Sequence, residues 1–238
     1  MQDPLATLSL GSRRRFLVEL VLVVAVFGGL LAMMTIDQAI GSGPGPKIFV
    51  LVRMAALLLL CTWLLHRGGE RWADVGLRRP ARWWSVPLLL VAGTSAFLVI
   101  ALTIYPVLGA LGIEPPRVDH TALRGDLIEY LYWAGPVSWG TAAFGEELLL
   151  RGFILDRIIK VIGSSRLPAV LVSIVLQAAV FGSLHVHQGL GGVIVTGTIG
   201  VLFGLMWLLG GRNLWACIVL HGLINSISHY EAYSLPSS

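Results

Sequence analysis

Charge is what this chain has least of. Asp, Glu, Lys and Arg make up only 13% of its 238 residues, about half the share of a soluble domain. Cysteine is nearly absent as well. Cys61 and Cys217 fall inside apolar runs and share no metal-like spacing, which argues against a disulfide framework and a zinc knuckle and leaves them as packing residues. No low-complexity tract, clear internal repeat or long polar stretch suggests a separate soluble domain. There is no HExxH, which would place two zinc ligands on one helix face, and no GxGD motif of the intramembrane aspartyl type.

What fills the chain is apolar: 56% hydrophobic residues and a mean hydropathy of +0.81. A bilayer core takes about 20 residues of helix, and seven stretches approach or exceed that: Phe16–Ile36, Ile48–Leu65, Trp84–Leu108, Leu127–Leu150, Leu167–Leu184, Leu190–Leu209 and Leu214–Tyr230. Open sheets leave edge groups unsatisfied in lipid, so these segments are expected to be helices. The fold class is an all-α, polytopic transmembrane helical bundle of about seven spans.

The net charge of +4 is a topology signal rather than a nucleic-acid patch. Arg13, Arg14 and Arg15 precede the first span; Arg67, Arg71, Arg78, Arg79 and Arg82 follow the second. Arg151, Arg157, Lys160 and Arg166 separate the fourth from the fifth, and Arg212 the sixth from the seventh. The opposite segments carry only Lys47, Arg117 and Arg124, with Arg53 inside a span. This positive-inside bias puts the N-terminus in the cytoplasm. The first apolar run is longer than a signal-peptide core and lacks a small-residue cleavage site, so it reads as an uncleaved anchor. The chain divides into a cytoplasmic N-terminal segment (1–15), N-terminal spans and loops (16–126), a second half rich in polar motifs (127–230) and a C-terminal tail (231–238).

Several smaller expectations follow. Residues 1–12 are expected to be disordered. Gly41–Lys47 is a Gly/Pro loop, and Trp72, Trp83 and Trp84 suit an interfacial belt. Gly200 and Gly204 form a GxxxG whose use is expected within the chain rather than between copies. Glu19 is placed at a span edge, reaching headgroups. His187 reads as interfacial, His229 as peripheral to any site, and His120 as a loop residue. Arg53 has no evident partner.

The chemistry concentrates after residue 127. Glu146 and Glu147 follow an uncharged run from Tyr130 to Phe144 and precede Arg151; ionisable groups within a bilayer by default mark a functional site. Glu147 and Arg151 are four apart, the favourable orientation for an ion pair, whereas Glu146 and Arg151 are five apart and face differently. Glu147 is therefore expected to be held ionised by Arg151. Glu146, left in low-dielectric surroundings, is suited to act as a general base on water. Phe181 and His185 share one helix face, as do His221 and Asn225. His185 could hold the same water or pass a proton to a leaving amine; His221 and Asn225 could donate to an oxyanion. If the helix carrying Glu146 runs to Ile162, turns at Gly163–Ser165 and returns from Leu167, Glu146 and His185 sit at matching depths, roughly 25–30 Å from the turn. A polar network that only keeps helices in register is the alternative that spacing leaves open.

GEELLLRG resembles the EExxxR motif of the CAAX prenyl protease and bacteriocin-processing family of intramembrane endopeptidases. Phe181–His185 resembles its FxxxH element and His221–Asn225 its HxxxN/D element, in the expected order across roughly Leu127–Tyr230. The resemblance implies peptide-bond hydrolysis in or beside the membrane. It makes Glu146 and His185 the water-activating pair, Glu147 and Arg151 their support, and His221 with Asn225 the oxyanion pocket. It also implies membrane lipid and a protein or peptide substrate, lipidated or membrane-anchored, as partners, no nucleic acid, and residence in a bacterial cytoplasmic membrane. No cofactor is expected; if zinc were used, Glu146, His185 and His221 would be its ligands. Prenylated CAAX proteins, double-glycine-type peptides, anti-sigma factors and C-terminal sorting tags all remain open as substrates. Competing readings are a non-catalytic immunity or scaffold protein of the same fold and a proton-coupled transporter. The crowding of polar residues into one half disfavours the transporter.

Overall fold

The computed structural model describes residues 3–39, 48–117 and 121–235, with side chains for all of these except 33–39. Gly41–Lys47 and His120 lie outside the described residues. Helices dominate: α1 (Leu10–Ala39), α2 (Ile48–Arg67), α3 (Ser85–Ala110), a long helix from α4 (Leu127–Tyr132) to α5 (Leu155–Ile162), then α6 (Leu167–Ser183), α7 (Gly189–Leu209) and α8 (Trp215–Ser234). No strand occurs among the described residues. The protein is an all-α membrane bundle. Leu10–Ala32, Ile48–Arg67, Ser85–Ala110 and Val186–Leu209 are each long and apolar enough to cross a bilayer by length and composition, and Leu167–Ser183 is a shorter apolar helix. Of α3 only Gly93 and Leu108 are buried, as suits a helix whose circumference faces lipid.

The long helix is unusual in its winding. Trp133–Glu146 and Leu148–Ile154 are π-helical, a wide winding that tends to occur at functional sites. Pro136 lies inside the first of these stretches; its ring removes one backbone donor from the ladder. Asp126 caps the start, accepting from the backbone of Ile128 (2.9 Å) and Glu129 (3.0 Å). At the far end the helix stops at Gly163, whose φ of 73° is left-handed, a conformation that glycine adopts without strain. Pro168 then sits in the first turn of α6, where its missing donor costs nothing. The turn and return expected from the sequence are thus the ones observed.

Helices α6 and α7 pack closely. A Cβ built on Gly204 would lie 2.5 Å from Ile174, and one on Gly200 would lie 3.1 Å from Ala178. The GxxxG spacing is therefore consumed within the chain. Cys61 and Cys217 are both buried and free, one in each of the two apolar clusters.

At the basic end of the bundle the structure corrects three expectations. Glu19 does not reach outward: it is only 5% exposed and accepts from Arg157 Nε at 2.7 Å and pairs with Arg15 at 3.2 Å. Arg157, fully buried, also pairs with Glu70 at 2.9 Å and with its neighbour Asp156, while Lys160 joins Glu70 and Asp156. The rings of Phe153 and Phe16 lie 4.5 and 5.2 Å from the Arg157 guanidinium. A carboxylate at this depth is retained because an arginine from another helix meets it. The described part of the N-terminal segment, from Asp3 on, is also ordered. Asp3 accepts hydrogen bonds from Ser164 Oγ (2.6 Å), Ser165 Oγ (2.7 Å) and Ser165 N (2.9 Å), which clasps the segment onto the turn before α6. The two serine hydroxyls hold the Asp3 carboxyl well below the usual carboxylate range. Trp83 and Trp84 are exposed as an interfacial belt requires. Trp72 instead turns inward and donates to Thr62 Oγ1 at 2.9 Å.

Candidate active site

Glu147 and Arg151 lie on the core side of the long helix with no side-chain exposure, and Arg151 Nη1 donates to Glu147 Oε1 at 2.9 Å. The pairing follows from the four-residue separation. Arg151 Nη2 approaches the Gly200 carbonyl at 3.5 Å. The rings of Phe181 and Phe203 cover the guanidinium at 4.7 and 5.2 Å, an arrangement that favours a cation in a dry interior. The same Glu147 Oε1 is 2.9 Å from His221 Nδ1. One carboxylate oxygen thus ties the long helix to α8, and Arg151 ties both to α6 and α7. Glu146 is half-buried and forms no hydrogen bond or ion pair among the described residues. Of the two adjacent carboxylates, one is anchored and one is free.

His185 lies just beyond the last residue of α6, before a short 3-10 turn at Val186–Gln188. Its ring packs edge-on against Phe181 at 4.9 Å, and its Nδ1 is 2.9 Å from the Phe181 carbonyl. A carbonyl only accepts, so Nδ1 carries the proton, and the neutral form of the ring presents Nε2 as a lone pair. Phe181 therefore serves two partners: its ring covers Arg151 and its carbonyl fixes the tautomer of His185. The sequence placed Phe181 only beside His185.

On α8, His221 is buried and Asn225, one turn on, is half-buried without a hydrogen bond among the described residues. Two contacts align this helix with the π-helical stretch. Ser138 Oγ and His229 Nδ1 share a hydrogen bond of 2.9 Å, and Trp139 Nε1 donates to Ser226 Oγ at 3.0 Å. His229 thus buttresses the helix pair. Ser138, Trp139, Phe203 and Ser226 were missed in the sequence. The visible hint was His229, which repeats the His221/Asn225 spacing and so needed a polar partner opposite.

One contact that bears on mechanism was not specified by the sequence: His221 meets Glu147 rather than Glu146. Rotation of α8 about its axis decides which carboxylate it meets, and helical spacing cannot specify that. His187 is exposed, with its ring 5.7 Å from that of His185. Arg53 rests near the Phe49 ring at 5.9 Å. Among the described residues, no group of three His, Cys, Asp or Glu side chains could hold a metal ion. No step below is routed through a metal.

Residues 128–227 match the family model of the type II CAAX prenyl endopeptidase, Rce1-like. The matched segment contains Glu146, Glu147, Arg151, Phe181, His185, His221 and Asn225, and it leaves α1–α3 outside. It coincides with the resemblance carried by the three sequence motifs. No curated protein and no solved structure matches the chain.

Proposed function

We propose, from the match of residues 128–227 to the Rce1-like model of CAAX endopeptidases, that this integral membrane protein hydrolyses a peptide bond in a membrane-associated protein or peptide by a glutamate-activated water. The observation that carries the reading is the division of labour between the two glutamates: Glu147 is fixed by Arg151 and His221, while Glu146 beside it is uncommitted.

In the proposed reaction, water is held between the Glu146 carboxylate and His185 Nε2, both acceptors. As the water oxygen bonds to the carbonyl carbon, its proton passes to Glu146 and the carbonyl oxygen becomes an oxyanion. Collapse of the tetrahedral intermediate breaks the C–N bond, and the proton is delivered to the departing amine by Glu146 or through His185. Asn225 donates to the oxyanion through its amide at any pH. His221 differs. Its Nδ1 lies 2.9 Å from Glu147 Oε1; with the proton on Nδ1 donated to that oxygen, Nε2 can donate only in the imidazolium form. Glu147 is suited to stabilise that imidazolium, as a carboxylate does in a His–Asp pair. Donors of this kind are worth a few kcal/mol each.

The charge pattern supports an N-terminus in the cytoplasm and puts the turn at Gly163–Ser165 on the same side. Peptide termini in membranes from cells expressing the wild type or Glu146→Ala test the reading. New ends should appear only with the wild type; identical peptide ends in both would overturn it. Metal analysis of active purified protein checks the metal-free form, since stoichiometric zinc lost on His185→Ala would require a different mechanism.

A further inference from the structure

We propose that Gln177 is a positioning residue for the Glu147–Arg151–His221 group, joined to it through buried water. Gln177 is fully buried on α6, and among the described residues neither its amide oxygen nor its amide nitrogen has a hydrogen-bond partner. A primary amide in that state is costly inside a membrane protein and calls for an explanation. Two further buried atoms in the active-site group have no hydrogen-bond partner among the described residues: Arg151 Nε and Glu147 Oε2.

The four atoms are complementary. Arg151 Nε and Gln177 Nε2 are donors; Glu147 Oε2 and Gln177 Oε1 are acceptors. Position supports joining them. Gln177 lies one turn before Phe181 on α6, and the Phe181 ring covers the Arg151 guanidinium at 4.7 Å. Ile174, Ala178 and Gly182 form the α6 face turned to α7, which leaves Gln177 and Phe181 on the face beside it. Buried water holds its place when it has two to four polar partners, and these four atoms supply them. In this arrangement the Glu147 oxygen not used by His221 is held from the opposite side. Gln177 then acts on His221 through Glu147 and touches no reacting atom.

The test reads the titration of His221 by histidine-selective NMR on the full-length protein in detergent micelles, with the His221→Gln variant identifying its resonance. His221 faces Glu147 from the long helix, itself paired with Arg151, and the Phe203 ring from α7, with Cys217 one turn earlier on its own helix. Gln177→Leu should move the His221 midpoint by about half a unit or more, since the carboxylate that it faces is no longer held in place. A midpoint equal to that of the wild type would overturn the proposal. Should Gln177→Leu fail to fold, Gln177→Glu retains the volume and sets a second carboxylate against Arg151. It too must shift the midpoint, and an unchanged value would overturn the proposal. The inference draws its functional meaning from the peptidase reading, and it adds that Gln177→Leu slows the accumulation of Glu146-dependent peptide ends about tenfold. If the wild type yields no such ends, the peptidase reading fails, while the titration still decides the role of Gln177.

Discussion

Two fully buried arginines, six residues apart on one helix, are used in opposite ways. Arg157 is surrounded by carboxylates: Glu19 from α1, Glu70 from the segment after α2, and its neighbour Asp156, with Lys160 balancing the excess. Arg151 has a single carboxylate, Glu147, which it shares with His221. The first arrangement consumes its charges in joining three parts of the chain. The second stands next to a carboxylate, Glu146, whose side chain has no hydrogen bond or ion pair among the described residues. A buried arginine that gathers carboxylates from several parts of the chain serves to fasten; one that holds a single carboxylate beside an uncommitted second one is suited to chemistry. The difference is also one of side, since the fastening network lies at the basic end and the site deeper in the bundle.

The comparison can be broken most directly at Arg157. Replacing it by alanine leaves Glu19 and Glu70 without their central cation, and such a loss costs about 3–5 kcal/mol. Thermal unfolding in detergent should show this as a large drop in stability. An Arg157→Ala protein as stable as the wild type would mean that the network does not fasten the helices.

A second test acts on the site. His221→Gln should lower the maximal rate by about 10-fold to 100-fold, measured as the rate at which Glu146-dependent peptide ends accumulate. An unchanged rate would assign the oxyanion to Asn225 alone.

The smallest expected effect lies at the N-terminal clasp. The Asp3 carboxyl is held below its ordinary value by Ser164 and Ser165. Its contribution to docking is therefore present above the unfolded value and is lost as pH falls through the depressed folded one. Asp3→Asn, which weakens these bonds at neutral pH, should increase hydrogen exchange at the Ser165 amide while leaving the unfolding temperature within a degree or two of the wild type. Unchanged exchange would show that the clasp is not held by this carboxylate.

Much of this protein could be read without coordinates because the physics involved is local. The scarcity of charge and the length of the apolar runs gave the helices and their number. The end of the long helix followed from Gly163, which tolerates left-handed backbone, and from Pro168, which suits the start of α6. The Glu147–Arg151 pair followed from helical spacing. Where spacing ceases to act, reading failed. Glu19 was placed among headgroups because Arg157 lies far away in the chain and close only after α1 meets α5. Asp3 was assigned to a disordered segment because its partners, Ser164 and Ser165, reach it only through tertiary folding. The π-helical winding from Trp133 to Glu146 carried no signal beyond Pro136.

What the amino-acid order determined by itself is an inventory: seven apolar helices, a carboxylate pair, two histidines and an asparagine on late helices, and the family resemblance of the motifs that hold them. Only the tertiary structure decided how the inventory is shared. The rotation and depth of α8 set His221 against Glu147, the ring of Phe181 covers Arg151, and Glu146 is left unpaired. A helix fixes which of its own residues are neighbours every turn. Which face it offers to another helix depends on packing summed over the whole bundle, and that is where the two glutamates acquired different roles.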